Sequence, residues 1–147
     1  MNHPPNPQPM AERRQVAALC WRRGADGVEI LLVTSRDTGR WVTPKGGRMI
    51  GKSDAQAAAV EAFEEAGVEG VVDETPLGEF RYMKRLKRRG ARLALVAVFS
   101  LRVERELEDW PEAAERTRRW FPAPDAATLV DEADLAALIG GFRPPGH

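Results

Sequence analysis

The stretch TPKGGRMIGKSDAQAAAVEAFEEAGV, residues 43–68, decides the fold because it joins a glycine-rich segment to one well-bounded helix. Ser53 followed three residues later by Gln56 is a capping-box pattern, which predicts the start of a helix. Gly67 is suited to end that helix, because glycine adopts the left-handed backbone conformation of a helix C-terminus without steric cost. The proline and glycines before Ser53 break regular structure. The sequence therefore predicts an irregular segment followed by a helix between Ser53 and Gly67.

Three glutamates gather on one side of this helix. Glu61, Glu64 and Glu65 fall within about 100° of arc, because spacings of three and four residues return to the same helix face. No lysine or arginine lies four positions away from any of them, so the helix does not neutralise their charge. Such glutamates taken alone are typical of a solvated face. Packed like charges cost energy unless a cation lies among them, and carboxylates suit magnesium or manganese, so the unpaired cluster indicates a divalent metal site.

The other positions of the helix predict how it packs. One arc is apolar and predicted to lie against a sheet: Ala59, Val60, Ala62, Phe63 and Ala66. Ala57 and Ala58 flank the acidic arc and predict space for a bulky ligand. The glycines of the loop TPKGGRMIGK allow main-chain groups to approach a phosphate or a metal closely. We therefore expect the acidic side of the helix to face solvent or a cleft.

The flanking sequence predicts a mixture of strands and helices. Strands are predicted over residues 15–22, 28–34, 77–83, 91–103 and 118–121, with a short extension at 41–43. The turn residues RGADG join the first two strands into a hairpin, and KRLKRRG joins the next two into a second hairpin. Residues 91–103 are apolar enough for a central strand. The spacing of Leu129, Leu135 and Leu138 predicts a C-terminal helix, continuous or broken, within residues 124–139.

Length and composition limit the organisation and the class of the protein. A chain of 147 residues with 43% hydrophobic content fits one domain, expected over residues 11–142, between a proline-rich tail (1–10) and a C-terminal tail (143–147). Twenty-two basic and 22 acidic residues cancel, which disfavours a protein that coats nucleic acid. Cys20 is the only cysteine and is expected to be buried and inert, so no internal disulfide forms.

The same features indicate the compartment and the type of catalytic group. No secretory signal is visible, and no apolar run approaches the roughly 20 residues of a membrane span. We therefore expect a cytoplasmic protein without membrane contact. His3 and His147 both lie in the tails, so acid–base chemistry within the domain has to rest on carboxylates.

The helix and its preceding loop resemble the box of the Nudix hydrolases. That box is a glycine, five residues, a glutamate, seven residues, then Arg-Glu, an apolar residue, any residue, Glu-Glu, any residue and Gly. The matching positions in register are Gly46, Glu61, Ala62, Glu64, Glu65, Gly67 and Val68. Lys52 replaces the first glutamate and Val60 replaces the arginine. Loss of both charges together avoids an orphan buried charge, which favours an altered but active box.

Motifs outside the box resemble one branch of that family. WVTPKGG before it, and LEDW followed by RTRRWF after it, are similar to enzymes that hydrolyse diphosphoinositol polyphosphates and diadenosine polyphosphates. The resemblance implies an α/β (α+β) fold, a Nudix-type α/β/α sandwich with a mixed sheet and a loop-helix-loop catalytic motif. The glycines of that motif here are Gly46, Gly47 and Gly67.

The resemblance also implies roles for individual residues. Glu61, Glu65 and the main-chain carbonyl of Lys45 map onto metal ligands, with Glu64 in the same metal-binding set. Glu64 matches the general base of that branch, while other branches assign the base differently, so Glu61 is the second catalytic candidate. The resemblance to that branch also places six arginines at or near phosphate-contacting positions: Arg13, Arg14, Arg36, Arg88 or Arg89, and Arg116. KRLKRR is either a solvated hairpin tip or a phosphate clamp.

The expected activity is Mg²⁺-dependent hydrolysis of phosphoanhydride bonds, with Mn²⁺ as a second candidate metal. The expected substrates are diadenosine polyphosphates, diphosphoinositol polyphosphates or related polyphosphorylated metabolites, bound by a monomer or homodimer. Two alternatives remain open. One is removal of pyrophosphate from an RNA 5′ end, with the basic hairpin along the single strand. The other is a non-catalytic nucleotide-sensing module, motivated by Lys52 and Val60.

Overall fold

The chain forms one mixed sheet with helices packed on both of its faces. The computed structural model describes residues 12–86 and 90–144, without the side chains of residues 12, 13, 85 and 86. The strands in this part of the chain are β1 (Glu12–Gly24), β2 (Gly27–Thr34), β3 (Trp41–Val42), β4 (Lys45–Gly47), β5 (Val68–Val72), β6 (Gly78–Leu86), β7 (Gly90–Glu106) and β8 (Arg118–Pro122). The helices are α1 (Asp54–Ala66), α2 (Ala123–Leu129) and α3 (Ala133–Gly140).

The sheet is built on β1 and β7, which run parallel in its centre. Their register extends from the pair Glu12 and Leu93 to the pair Trp21 and Arg102. Both predicted hairpins are confirmed, because β2 pairs antiparallel with β1 and β6 pairs antiparallel with β7. The strand β5 also pairs antiparallel with β7, and β8 pairs antiparallel with β2. One parallel pair within an otherwise antiparallel arrangement makes the sheet mixed, as expected.

Both faces of the sheet are covered. Alternate residues of a strand point to opposite faces. In β1, Val16 and Cys20 belong to the core against α1, whereas Ala17 and Leu19 belong to the core against α2 and α3. The expected α/β/α sandwich is therefore confirmed. Complete burial raises the pKa of the Cys20 thiol to about 12, with a smaller contribution from Glu65, which fits the expected inert role.

The boundaries of α1 agree with the sequence. Ser53 is the N-cap, its side chain accepts a hydrogen bond from the Gln56 N–H, and the Gln56 side chain accepts from the Ser53 N–H. Gly67 ends the helix with φ 67° and ψ 36°. None of the helices in residues 12–86 and 90–144 is long and apolar enough to cross a membrane.

The predicted packing of α1 is partly wrong. Ala57 and Ala58 are fully buried in the core beneath the helix, so they provide no space for a ligand. Phe63, assigned to the buried arc, is only half-buried. The buried face of α1 is rotated, relative to the predicted face, toward the glutamates. The small methyl groups of the alanines on that side let the helix approach the sheet closely. The pattern of apolar residues could not predict which face of the helix is buried, because alanine is common both in cores and on surfaces.

Two strands were absent from the sequence prediction, and one helix is divided. The strand β4 contains two glycines, which are unfavourable in strands, yet it pairs with β1 through Gln15 and Gly47. The strand β5 begins directly after the cap of α1. The C-terminal helix is broken, because α2 and α3 are separated by residues 130–132.

Candidate active site

A pair of glutamates on α1 meets the backbone of β4. Glu65 is 7% exposed, and its Oε1 accepts a hydrogen bond from the Lys45 N–H at 3.3 Å. Gly46 lies against the carboxylate of Glu61 so closely that any Cβ at this position would overlap with it. The glycine of the box is therefore required sterically, since only a residue without a side chain lets β4 lie against Glu61.

Burial and mutual proximity perturb both carboxyl groups. Burial raises the pKa of Glu65 to about 8; Arg116 opposes this shift, and the charge of Glu61 adds to it. Burial also raises the pKa of Glu61, a hydrogen bond with the Glu65 side chain opposes the shift, and the charge of Glu64 adds to it. The pair therefore retains a proton near neutral pH in the metal-free protein. A divalent cation bound there would displace that proton.

The positive charge next to this pair comes from a distant segment. Arg116 Nη2 lies 3.6 Å from Glu65 Oε2, and its Nε lies 2.7 Å from Glu112 Oε1. The side chain is 9% exposed, and its Nη1 donates to the Thr34 carbonyl at 3.0 Å. The helix itself supplies no residue that neutralises these glutamates, as their spacing in the sequence indicates. Residue 116 supplies the charge from another part of the fold, which no local pattern predicts.

The donor set fits a hard divalent cation. In residues 12–86 and 90–144, no three or more Asp, Glu, His or Cys side chains are already grouped to hold a metal. Mg²⁺ does not require such a cage, because it retains several waters and binds through one or two carboxylates together with substrate phosphates. Glu61 and Glu65 are the two carboxylates that would hold such an ion. Lys45 lies in β4, and its N–H donates to Glu65. Its carbonyl therefore belongs to the strand that contacts the glutamate pair.

A cleft rich in cations adjoins the glutamate pair. It has a volume of about 540 Å³, and Glu65, Gly46 and Gly47 form part of its wall. The cationic side chains that line it are Arg36, Arg40, Lys45, Lys84 and Arg116. Tyr82 also lines it, and its hydroxyl donates to Gln15 Oε1 at 2.7 Å. A cleft with five cations beside buried carboxylates is suited to a ligand that carries several negative charges.

The six predicted phosphate-contacting arginines are divided between different places. Arg36 and Arg116 both lie in this cleft, where Arg36 Nη1 is 2.8 Å from Glu115 Oε1. Arg14 lies instead in a neighbouring cavity of about 580 Å³, together with Arg48 and Lys52. The side chain of residue 13 and all of residues 88 and 89 lie outside the described part of the chain.

Sequence reasoning missed two charged residues at this site. Glu112 pairs with Arg116 four residues later, a spacing that was visible within the acidic segment. Arg40 lines the cleft and lies 2.8 Å from Glu132 Oε2, and no sequence pattern connects those two positions. The two replaced box residues leave no orphan charge, since Lys52 is exposed and Val60 is half-buried on α1.

Known proteins resemble this chain along most of its length. The chain is 38% identical over 107 residues to Nudix hydrolase 12, mitochondrial, of Arabidopsis thaliana, and the match covers 69% of this chain and 52% of that relative. It is 34% identical over 124 residues to diphosphoinositol polyphosphate phosphohydrolase 3-beta of Bos taurus, covering 83% of this chain and 71% of that one. The chain thus spans about half the length of the plant relative.

The fold has solved counterparts. A crystal structure of a C. elegans Ap4A hydrolase binary complex superposes with a TM-score of 0.63 at 21% sequence identity, covering 87% of this chain and 93% of that chain. The sequence profile of the NUDIX domain family matches residues 13–139. With this profile, the curated relatives and the glutamates of the box on one helix, the chain belongs to the Nudix hydrolase family, as its sequence resemblance predicted.

Proposed function

We propose that this chain is a Mg²⁺-dependent hydrolase of phosphoanhydride bonds in diadenosine polyphosphates, diphosphoinositol polyphosphates or related metabolites. One observation carries the proposal: Glu65, the buried member of the glutamate pair on α1, forms part of the wall of the cation-lined cleft. The names of a bovine relative and of a nematode structural neighbour support this substrate class. We also propose a cytoplasmic monomer or homodimer.

The residues divide into three tasks in this proposal. Glu61, Glu65 and the Lys45 carbonyl hold Mg²⁺ or Mn²⁺, which when bound would offset phosphate charge and lower the pKa of a coordinated water. Glu64 takes the proton of the attacking water as general base. Arg36 and Arg116 bind the phosphates and keep the scissile anhydride beside the glutamates. Glu61 is the alternative base, because other branches of the family assign the base differently.

The test is phosphate release from a panel of diadenosine polyphosphates, nucleoside diphosphate sugars and inositol pyrophosphates, with Mg²⁺ and with Mn²⁺. We expect turnover of at least one substrate by the unmodified protein. Glu64→Gln and Glu65→Gln should each abolish metal-dependent release. Glu69→Gln is the matched control, because Glu69 follows the same helix but is exposed on β5. Rates like those of the unmodified protein in either active-site variant would refute the assignment.

Two other functions remain as alternatives, each with its own observation. RNA 5′-pyrophosphate removal is favoured by the basic hairpin, of which Lys84 lines the cleft. Binding to RNA should then fall steeply with salt compared with binding to a dinucleotide. A non-catalytic sensing module is favoured by Lys52 and Val60 in place of the box charges. Binding without turnover on every substrate of the panel would support the sensor and contradict the hydrolase.

A further inference from the structure

The C-terminal end of α1 is capped by a segment distant in sequence. A helix leaves its last four carbonyl groups without partners inside the helix, and in α1 these belong to residues 63–66. The first, of Phe63, accepts from the Gly67 N–H at 3.0 Å. The other three accept, in order, from the Glu112 N–H at 3.0 Å, Trp110 Nε1 at 3.0 Å and Arg118 Nη1 at 2.9 Å. We name residues 107–118 the capping segment.

Trp110 and Arg118 support each other within the capping segment. The Arg118 guanidinium carbon lies 4.0 Å from the centroid of the Trp110 ring, a cation–π arrangement. Arg118 also donates to the Gly67 carbonyl at 3.2 Å and to the Leu107 carbonyl at 2.6 Å. A Cβ at Gly67 would lie 2.6 Å from the Trp110 ring. The indole therefore contacts the last turn of α1 at a position that only glycine leaves open.

The charge of this cap complements the helix. The last turn of α1 contains no basic residue, although the carbonyl end of a helix carries partial negative charge. Arg118 supplies the missing cation. The capping segment also contains Glu112 and Arg116. One short stretch of chain therefore carries both the residues that cap α1 and the residues beside Glu65.

We propose that Trp110 and Arg118 are positioning residues, which fix the last turn of α1 so that the Glu61 and Glu65 carboxylates face β4 at the geometry the metal requires. Trp110 donates to the main chain of Glu65, the residue whose side chain is the better-buried ligand candidate. A displacement of more than about 0.5 Å in a group that binds the metal directly is enough to impair a metal site. This inference rests on the proposed function and assigns roles to Trp110 of LEDW and Arg118 of RTRRWF, two residues that the proposed function leaves unused.

The decisive variant is Trp110→Phe. It retains a six-membered aromatic ring for Arg118 and removes the Nε1 donor together with the five-membered ring of the indole. Mn²⁺ binding is measured directly by electron paramagnetic resonance, without substrate, so the readout does not depend on turnover. We expect Mn²⁺ affinity about tenfold weaker, the loss typical of residues that support metal ligands. With substrate, kcat should fall by more than KM rises, since the cleft cations remain in place.

Arg118→Lys is the second variant and Arg119→Lys its matched control. Lysine at 118 keeps the charge, but its single ammonium nitrogen cannot replace both Nη1 and Nη2 of the arginine fork, so Mn²⁺ affinity should fall. Residue 119 is exposed and should tolerate the change. If Trp110→Phe does not fold, judged by circular dichroism, Arg118→Lys carries the test. Normal Mn²⁺ affinity with reduced thermal stability would overturn the inference. No Mn²⁺ binding by the unmodified protein would instead overturn the proposed function, and the positioning role with it.

Discussion

Gly46 and Glu65 show how single residues determine the geometry of the candidate site. The first is a position where a side chain would displace the Glu61 carboxylate, and the second is a buried carboxyl group contacted by the Lys45 N–H and by Arg116. Both features depend on the approach of β4 to α1. A sequence pattern can identify such positions. The physical reason for each residue is seen only in the contact between β4 and α1.

Gly46→Ala should damage the site while leaving the fold intact. The added Cβ would overlap with the Glu61 carboxylate, which is the far end of a flexible side chain and can move away. We expect kcat/KM to fall about tenfold or more, with a similar loss of Mn²⁺ affinity, since the ligand is displaced. Thermal denaturation should show a small change in Tm. Gly140→Ala at the end of α3 is the control, because a Cβ there meets only Ala127 Cβ at 4.0 Å and Gly140 does not line the cleft, and equal activity in the two variants would contradict this account.

Among the elements, α1 was the one best predicted from sequence, and its N-terminus gives a quantitative test. Ser53→Ala removes the acceptor for the Gln56 N–H at 3.1 Å. The expected loss is about 1 kcal/mol of unfolding free energy, or about 3 °C in Tm for a chain of this size. Ser53→Thr retains the hydroxyl and should lie close to the unmodified protein in a calorimetric scan. A Tm unchanged in Ser53→Ala would show that this cap does not limit stability.

The features that could not be predicted from the sequence are the contacts between elements. Capping chemistry, turn residues and strand periodicity are local, so α1 and both hairpins could be derived from neighbouring residues. The strand β4 could not, because its pairing with β1 overrides the poor strand propensity of two glycines. The rotation of α1 and the approach of Arg116 to Glu65 depend on long-range packing, which no local pattern encodes. The position of the glutamates was thus predictable, and their counter-ion was not.

In the whole molecule, the two hydrophobic cores stabilise the sheet from both sides. The candidate metal site, in contrast, lowers the stability of the folded state. Burial raises the pKa of both Glu61 and Glu65, so keeping the two carboxyl groups ionised in the protein carries an electrostatic cost. Carboxyl groups perturbed in this way are common at functional sites. Global stability should therefore report metal binding even when the substrate is unknown.

Adding Mn²⁺ or Mg²⁺ to metal-free protein should raise Tm in a concentration-dependent manner. A ligand that binds only the native state at about a hundredfold excess over its Kd adds about 2.7 kcal/mol, which corresponds to a Tm higher by about 8 °C at this chain length. Glu61→Gln and Glu65→Gln should each lose most of that increase, since each removes one carboxylate of the pair. Glu69→Gln should retain it, because Glu69 is exposed on β5 and pairs with Arg105. The same increase in all four proteins would mean that the cation acts elsewhere on the surface, and that the pair on α1 is not the metal site.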